Sequence, residues 1–468
     1  MRNRQPSFHK VTRRSLMQAG VAVSAWPWPT SFSALAGFSA SNNVTGAAKR
    51  IVFLSMNGGP GQIDTFDPKP ALDRLDGKTY SGTGKIGSGN RIVGPLWKSP
   101  FPFQQHGESG LPISELFPHV AQHADDLCVI RSMQTASAFH GAAMLQMNTG
   151  RLQLGSPSLG AWVAEGVGQT DAQLPDFVVM PDGRGVPIGG AANWSARKLS
   201  AKAQATVLTD MDDPIPCLNR PTGVSERSQQ RVLNAIERLN ASAAQSTIAG
   251  RAATARQQAF ALARHMQSHA SEAFDIGRET RKTQQSYGLD QDETRDFGTR
   301  CLVARRLLQR GVRFVQIYSG SGDQSHNWDG HTQHVEKHRS RAFETDQPIA
   351  ALLADLQATG LWEDTVVVWG GEFGRTPTVE GSGNGRDHNP HGFSIWLAGA
   401  GIRSGHAVGA TDDVGYKAVE KPYQVSDLHA TLLHMLGLDH ETFVRAVNGI
   451  EHRLTGPEPC QLISEVLG

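Results

Sequence analysis

The chain has 468 residues, 39% hydrophobic and 19% charged, with a formal net charge of +1. These values suit a soluble globular protein of one large domain or two smaller ones. Near-neutral balance with no broad basic stretch argues against a nucleic-acid partner and against a polybasic membrane patch.

At the N-terminus, "TRRSLMQAGVAVSAW" sets Arg13 and Arg14 directly before an apolar run, and small residues follow in "SALAGFSA". This resembles a twin-arginine export signal over residues 1–40, with cleavage expected at Ala36 or Ala40. The apolar run falls short of the roughly 20 residues a span needs, and Pro27 and Pro29 interrupt it, so no stable membrane span is expected after cleavage. The expected partner during export is the twin-arginine translocase, and the destination is the periplasm or beyond. Cys128, Cys217, Cys301 and Cys460 contain no CxxC spacing and read as buried free thiols.

Residues 41–468 are expected to form a single domain. "RIVFLSM" is a first buried strand that breaks into Asn57, Gly58, Gly59 and Pro60. "DLCVIRSM" is a second strand, followed by "ASAFHGAAMLQMNTG" with helical composition, and "LPDFVVMP" is a third. From Ser225 to about Arg310 the pattern becomes helical and rich in Ala, Gln, Arg and Glu, which predicts a helical insertion at about 225–300. "GVRFVQIYSG", "DQPIAALLADLQATG", "TVVVWGGEFG", "FSIWLAGAG" and "QVSDLHATLLHMLGL" then alternate strand and helix. The chain therefore reads as an α/β fold with a largely parallel sheet and helices on both faces.

The chemistry-bearing residues cluster at strand ends. "HNWDGHTQHVEKH" follows the strand "RFVQIYSG" and places Asp329 and His331 at its carboxyl end, the edge where open parallel sheets bind ligands. Carboxylate beside neutral imidazole is what a divalent cation requires. His334 and His338, four apart at the start of a helix, read as solvated surface histidines. "GGEFGRTPTVEGSGNGRDHNPHG", between two buried strands, carries Glu372, Arg375, Asp387, His388 and His391. Of these, Glu372 and His388 are expected at the metal site. Arg375 reads either as a clamp on an anionic oxygen or as an ion-pair partner of Glu372 or Asp387. Asp387 would orient His388 or cap the loop. "GGPGQ" lacks the Lys-Ser or Lys-Thr ending of a nucleotide loop and reads as a backbone turn. Trp162, Trp194 and Trp328 read as core rather than as a sugar-binding surface.

"TDQPIAALLADLQATGLWEDTVVVWGGEFGRTP", "DGHT", "RDHNPHGFSIWLAGAGIRSG" and "VSDLHATLLHMLGL" together resemble the alkaline phosphatase, sulfatase and phosphoglycerate mutase superfamily. "GGPGQIDTFDPKP", "MNTGR", "GSPSLGAWV", "RRLLQRGVRFVQIY", "WGGEFGRTP" and "GRDHNP" resemble more narrowly the bacterial exported family catalogued as domain of unknown function 1501. The resemblance implies an alkaline-phosphatase-like three-layer fold: a mostly parallel central sheet, helices on both faces and a helical insertion. It implies one metal held by Asp329, His331 and His388. A second metal would need an Asp-His pair where Glu372 and Phe373 stand, and an aspartate where Asn57 stands, with Asp64 the nearest substitute carboxylate. The nucleophile would sit near Thr135 or Ser137, with His140 beside them as ligand or base. No Cys-x-Pro-x-Arg occurs, which disfavours a formylglycine sulfatase. The resemblance thus points to an exported, metal-dependent hydrolase of phosphate or sulfate esters, acting on an anionic small molecule or polysaccharide. Zinc is the favoured ion, with manganese and calcium as alternatives. The competing expectation is a non-catalytic binding or assembly protein on a degenerate scaffold of the same kind.

Overall fold

The computed structural model describes residues 46–468 except 81–92, 169–173, 212, 216–222, 245–256, 258, 265, 267–270, 382 and 448. The expected export signal, with Arg13, Arg14, Ala36 and Ala40, and also Cys217, lie outside the described residues. Val44–Gly468 form one compact unit. No helix among the described residues is long and apolar enough to cross a membrane.

The first strand explains the layering. In β1 (Arg50–Met56) every residue after Arg50 is buried, as expected of a strand covered on both faces. Ile51 and Phe53 point into one apolar cluster, and Val52, Leu54 and Met56 into another. The further strands of the same sheet are β2 (Leu127–Gln134), β3 (Phe177–Met180), β4 (Thr206–Val207), β5 (Phe314–Ser319), β6 (Thr365–Gly370), β7 (Phe393–Gly399), β8 (His406–Val408) and β9 (Tyr423–Gln424). Their spatial order is β8-β2-β7-β6-β1-β5-β3-β4, with β9 also beside β2. β1 runs parallel to β5 and β6, whereas β7 runs antiparallel to β6 and β2. The connection from β6 to β7 therefore turns back at the carboxyl edge of the sheet, and its described residues stay there.

Helices cover both faces, giving the three-layer α/β architecture. α1 (His140–Thr149), α2 (Leu159–Val167) and α6 (Val425–Met435) contribute to the cluster that holds Ile51 and Phe53, together with Trp162 and Trp194. α4 (Asp292–Gln309) and α5 (His334–Ala358) contribute to the opposite cluster, which also takes Trp328. The helical segment expected as an insertion divides in two. α3 (Glu226–Ala244) leaves Val232 and Leu239 exposed, but α4 buries Phe297, Cys301, Leu302 and Leu308 beside α5 and is a core helix. Composition rich in Arg and Gln hid this, because Arg300, Arg305 and Arg306 are themselves buried and bonded. Cys128 and Cys301 are buried free thiols and Cys460 is half-buried.

The carboxyl ends of β3 and β5 are fastened together by Asp182. Its carboxylate accepts from Gly320 N at 2.8 Å, from Arg184 N at 2.9 Å and from Arg184 Nε at 2.7 Å. Burial tends to raise the carboxyl, but Arg184 and Arg300 outweigh it and bring it down to about 2. A carboxyl lower in the folded than in the unfolded chain adds stability above its unfolded value near 4, and that stability is lost as pH falls toward 2. Asp182→Asn is therefore expected to cost about 2 kcal/mol at pH 7, with the difference from wild type shrinking between about pH 4 and pH 2. Urea denaturation across that range checks it; a difference independent of pH would contradict the account.

Candidate metal centre

Every side chain of the centre hangs from the carboxyl edge of the sheet. Asn57, just past β1, donates to Gly320 O at 3.2 Å and Ser321 O at 2.5 Å, and accepts Trp328 N–H on its backbone oxygen at 2.9 Å. It thus pins the loop that follows β5. Gly58 has φ +107, and a Cβ there would lie 2.6 Å from Asp329 N, so the two backbones meet only because the residue is glycine. Asp329 is seated by its N–H on Asn327 Oδ1 at 2.9 Å. His388 lies in a two-residue antiparallel pairing opposite Arg375. His140 is the first residue of α1.

These loops bring His140, Asp329, His331 and His388 together, with ligand atoms all within 4.8 Å of one another. His331 Nε2 and His388 Nε2 lie 3.2 and 3.5 Å from Asp329 Oδ1 and 2.8 Å from each other. His140 Nε2 faces the other oxygen, Asp329 Oδ2, at 3.3 Å. The outer nitrogen of each ring is already engaged. His388 Nδ1 donates to Ala138 O at 2.6 Å, His140 Nδ1 meets Glu372 Oε1 at 2.6 Å, and His331 Nδ1 meets Glu380 Oε2. A neutral imidazole whose Nδ1–H is donated outward presents a lone pair at Nε2. The three Nε2 atoms face the Asp329 carboxylate, which is buried and whose Oδ1 is also ion-paired with Arg375 Nη2 at 2.8 Å.

That donor set fits a divalent cation. Imidazole nitrogens this close to one another and to a carboxylate, with Nδ1 of His331 and His388 turned to outside acceptors, would be satisfied by an ion taken up on Asp329, His331 and His388. Electrostatics agrees. Burial alone would raise the Asp329 carboxyl, yet Arg375, with Nη2 2.8 Å from Oδ1, and the imidazoles of His140 and His388 hold it well below the usual carboxylate range. Burial, reinforced by Arg375, pushes His388 and His331 downward against the pull of Asp329. His140 is also pressed down by burial, but Asp329 and Glu372 outweigh that and raise it.

Other expected residues lie elsewhere. Glu372 is wholly buried outside this group, accepting Gly58 N–H on both oxygens at 3.0 and 3.2 Å and holding His140. Asp64 is also outside it: it pairs with His334 Nε2 at 2.8 Å and Arg386 Nε at 3.0 Å. His334 and His338, read as solvated, are 0% exposed, and His338 Nε2 accepts Gly61 N–H at 2.9 Å. Arg375 is 0% exposed and donates to Gly58 O, Gly59 O and Arg386 O, so its ion-pair partner is Asp329 rather than Glu372 or Asp387. Asp387 accepts the backbone N–H of His388 at 2.8 Å and caps the loop, leaving the ring to Ala138 O. Thr135 donates to Gln146 Oε1 at 2.8 Å, and Ser137 Oγ accepts Phe139 N–H at 3.1 Å. Phe373 packs against His140 and His388, ring centroids 4.8 and 4.5 Å apart, at the position where a second metal's histidine was expected. His391 remains on the surface. Glu380 and Ala138 escaped the sequence reading; the acidic residue in "TPTVEG" carried no spacing that tied it to His331.

A three-layer α/β protein with a buried Asp–His centre at the carboxyl edge of its sheet is the class that fold and site define. Residues 48–467 match the family described as "Protein of unknown function (DUF1501)", and the chain belongs to that family. No curated protein matches it in sequence. Among solved structures it is similar to the lipoteichoic acid synthase LtaP from Listeria monocytogenes, at 9% identity and TM-score 0.36 over 85% of this chain and 74% of that one. It is similar to a protein in the alkaline phosphatase superfamily from Vibrio parahaemolyticus, at 11% identity and TM-score 0.33 over 88% and 71%. It is also similar to the C-terminal periplasmic domain of EcEptC from Escherichia coli in complex with Zn, at 10% identity and TM-score 0.36 over 85% and 85%. Similarities this low carry no functional inference.

Glu380 supplies a direct check on the ligand geometry. Glu380→Gln keeps the shape but weakens the hold on His331 Nδ1, and zinc affinity measured by competition with a chromophoric chelator is expected to fall about 10–100-fold. Unchanged affinity would remove His331 from the ligand set.

Proposed function

We propose that this protein is an exported, metal-dependent hydrolase of anionic esters, phosphate or sulfate. The observation that carries the reading is the convergence of the Nε2 atoms of His140, His331 and His388 on the buried Asp329 carboxylate, with ligand atoms all within 4.8 Å of one another. Asp329, His331 and His388 would hold one divalent ion, zinc by the chemistry of the set, with manganese or calcium as alternatives. When bound, such an ion polarises an ester oxygen and offsets the charge that develops on it. The chain's own groups do the rest. Glu372 and Glu380 fix the rings of His140 and His331, and Arg375 balances the Asp329 charge from within the protein. Phe373 contributes no lone pair, which supports one ion rather than two. Export through the twin-arginine translocase is part of the proposal and rests on Arg13 and Arg14 with the apolar run behind them.

Phe373 and the Thr135 hydroxyl, which is donated to Gln146 Oε1, favour a second reading, a binding or assembly protein on the same scaffold. Turnover separates the two. Zinc-loaded protein is expected to hydrolyse 4-nitrophenyl phosphate or 4-nitrophenyl sulfate, to lose that activity to a chelator and to regain it with zinc. Asp329→Asn should lower kcat/KM by more than about 100-fold, beyond what an outer partner costs. No turnover of either ester by the loaded protein, or turnover indifferent to chelator and to Asp329→Asn, would leave the binding reading standing.

A further inference from the structure

One uncharged surface strip is left without a role by the metal centre. From Ser132 to Ala164 the only Asp, Glu, Lys or Arg is Arg151. The exposed residues of that stretch are Ala136, Phe139, Leu152, Gln153, Leu154 and Gly155, and none is charged. Roughly a quarter to a third of a soluble protein's surface is ordinarily charged, with large apolar side chains scattered singly. Here Phe139, Leu152 and Leu154 are 70%, 39% and 71% exposed.

A helix joins them. Phe139 is the N-cap of α1 and sits between Ala138, whose carbonyl takes the His388 Nδ1–H, and His140 of the centre. Gly150, with φ +71, ends the helix and turns the chain into the loop that bears Leu152 and Leu154. Between the two ends, Ala142, Gln146 and Gly150 recur every four residues along one helix face, and all three are only half-buried. The strip therefore runs about 15 Å along α1, from the edge of the metal centre to the leucine loop.

Cations border the leucine end. Arg453 Nε donates to Gly456 O, and a Cβ on Gly456 would lie 2.3 Å from Arg151 Nη1, so both guanidiniums lie against one turn. Burial lowers Arg151, Glu458 opposes that shift and Arg453 adds to it. Lys198 Nζ is 3.4 Å from Nε2 of His452, the residue before Arg453. Arg151, Lys198 and Arg453 against Glu458 leave this border net positive. The three come from distant parts of the chain, so no local basic run announces them.

We propose that the Leu152–Leu154 loop is a membrane-docking site, its leucines entering the surface of an anionic phospholipid bilayer while Arg151, Lys198 and Arg453 meet the headgroup phosphates. Apolar side chains leave water at the acyl boundary, and basic groups at headgroup depth gain from the negative surface potential. A second copy of this loop is a poor occupant, because it would set the same positive border against itself. Docking of this kind needs no turnover and is independent of the hydrolase reading.

Co-sedimentation of the full chain with vesicles tests it, using mixed phosphatidylglycerol and phosphatidylcholine beside phosphatidylcholine alone. Every chain compared retains residues 1–40, so any lipid affinity of the apolar run there is common to all. Wild type is expected to bind the mixed vesicles, and to bind them less as salt rises. Leu152→Ser with Leu154→Ser should lower the partition constant at least about 10-fold, whereas Leu154→Trp should keep it. Lys198→Glu should lower it about 10-fold on mixed vesicles and leave phosphatidylcholine unaffected. These side chains are exposed, so each variant is expected to melt with wild type. Wild type that binds neither vesicle, or binds both equally, would overturn the proposal. Binding indifferent to the leucine pair would overturn it too, as would self-association through those leucines in place of lipid binding.

Discussion

A carboxylate buried beneath four loops is the constraint on which the rest of this structure depends. Asp329 has no exposed surface to speak of, and a lone ionised carboxylate so placed would be strongly unfavourable. Arg375 makes it tolerable, and Arg375 in turn is satisfied by carbonyls of Gly58, Gly59 and Arg386. One guanidinium therefore links the loop after β1, the loop after β5 and the connection between β6 and β7. The charge pair and the shape of the site are a single arrangement.

A second buried pair reinforces it a short way off. Asp64 holds His334, three residues beyond His331, and Arg386, two residues before His388. Burial would raise the Asp64 carboxyl, but Arg386 and His334 keep it low. Backbone bonds run alongside, from His334 N to Asn384 O at 3.1 Å and from Arg386 N to Gly330 O at 2.9 Å. The two ligand-bearing loops are thus clamped by one anion that is not itself among the converging groups. Glycine permits the approach: a Cβ on Gly385 would lie 1.8 Å from His331 O. With the loops fixed this closely, three imidazoles can be aimed by their Nδ1 partners alone, two of them carboxylates and one a backbone carbonyl.

Much of this was legible in the sequence because it is local. The buried runs of β1, β5, β6 and β7 and the placement of Asp329, His331 and His388 at strand ends follow from hydrophobic pattern and from where loops must fall. What escaped is set by pairs distant in the chain. His334 and His338, at i and i+4 on a polar helix start, look solvated until Asp64 and the Gly61 N–H arrive from 270 or more residues away. Asp64 and Glu372 looked like ligands because they are carboxylates near strand ends, yet each is taken by a buried cation or imidazole that only tertiary structure supplies. α4 looked peripheral because its arginines are read as solvent-facing, and three of them are bonded inside the protein instead. Residue type and spacing identified the donors; which donor faces which acceptor was decided by topology.

The claim at the centre of this account is that the Asp329, His331 and His388 group exists to hold an ion. The measurement that tests it most directly is elemental mass spectrometry of metal content on protein purified without added metal, beside His388→Ala. One tightly held divalent ion per chain, lost from a folded His388→Ala variant, is the result the account predicts. Wild-type protein that carries no ion and takes up none from zinc, manganese or calcium would contradict it, and would leave Asp329 as a buried charge with a structural role alone.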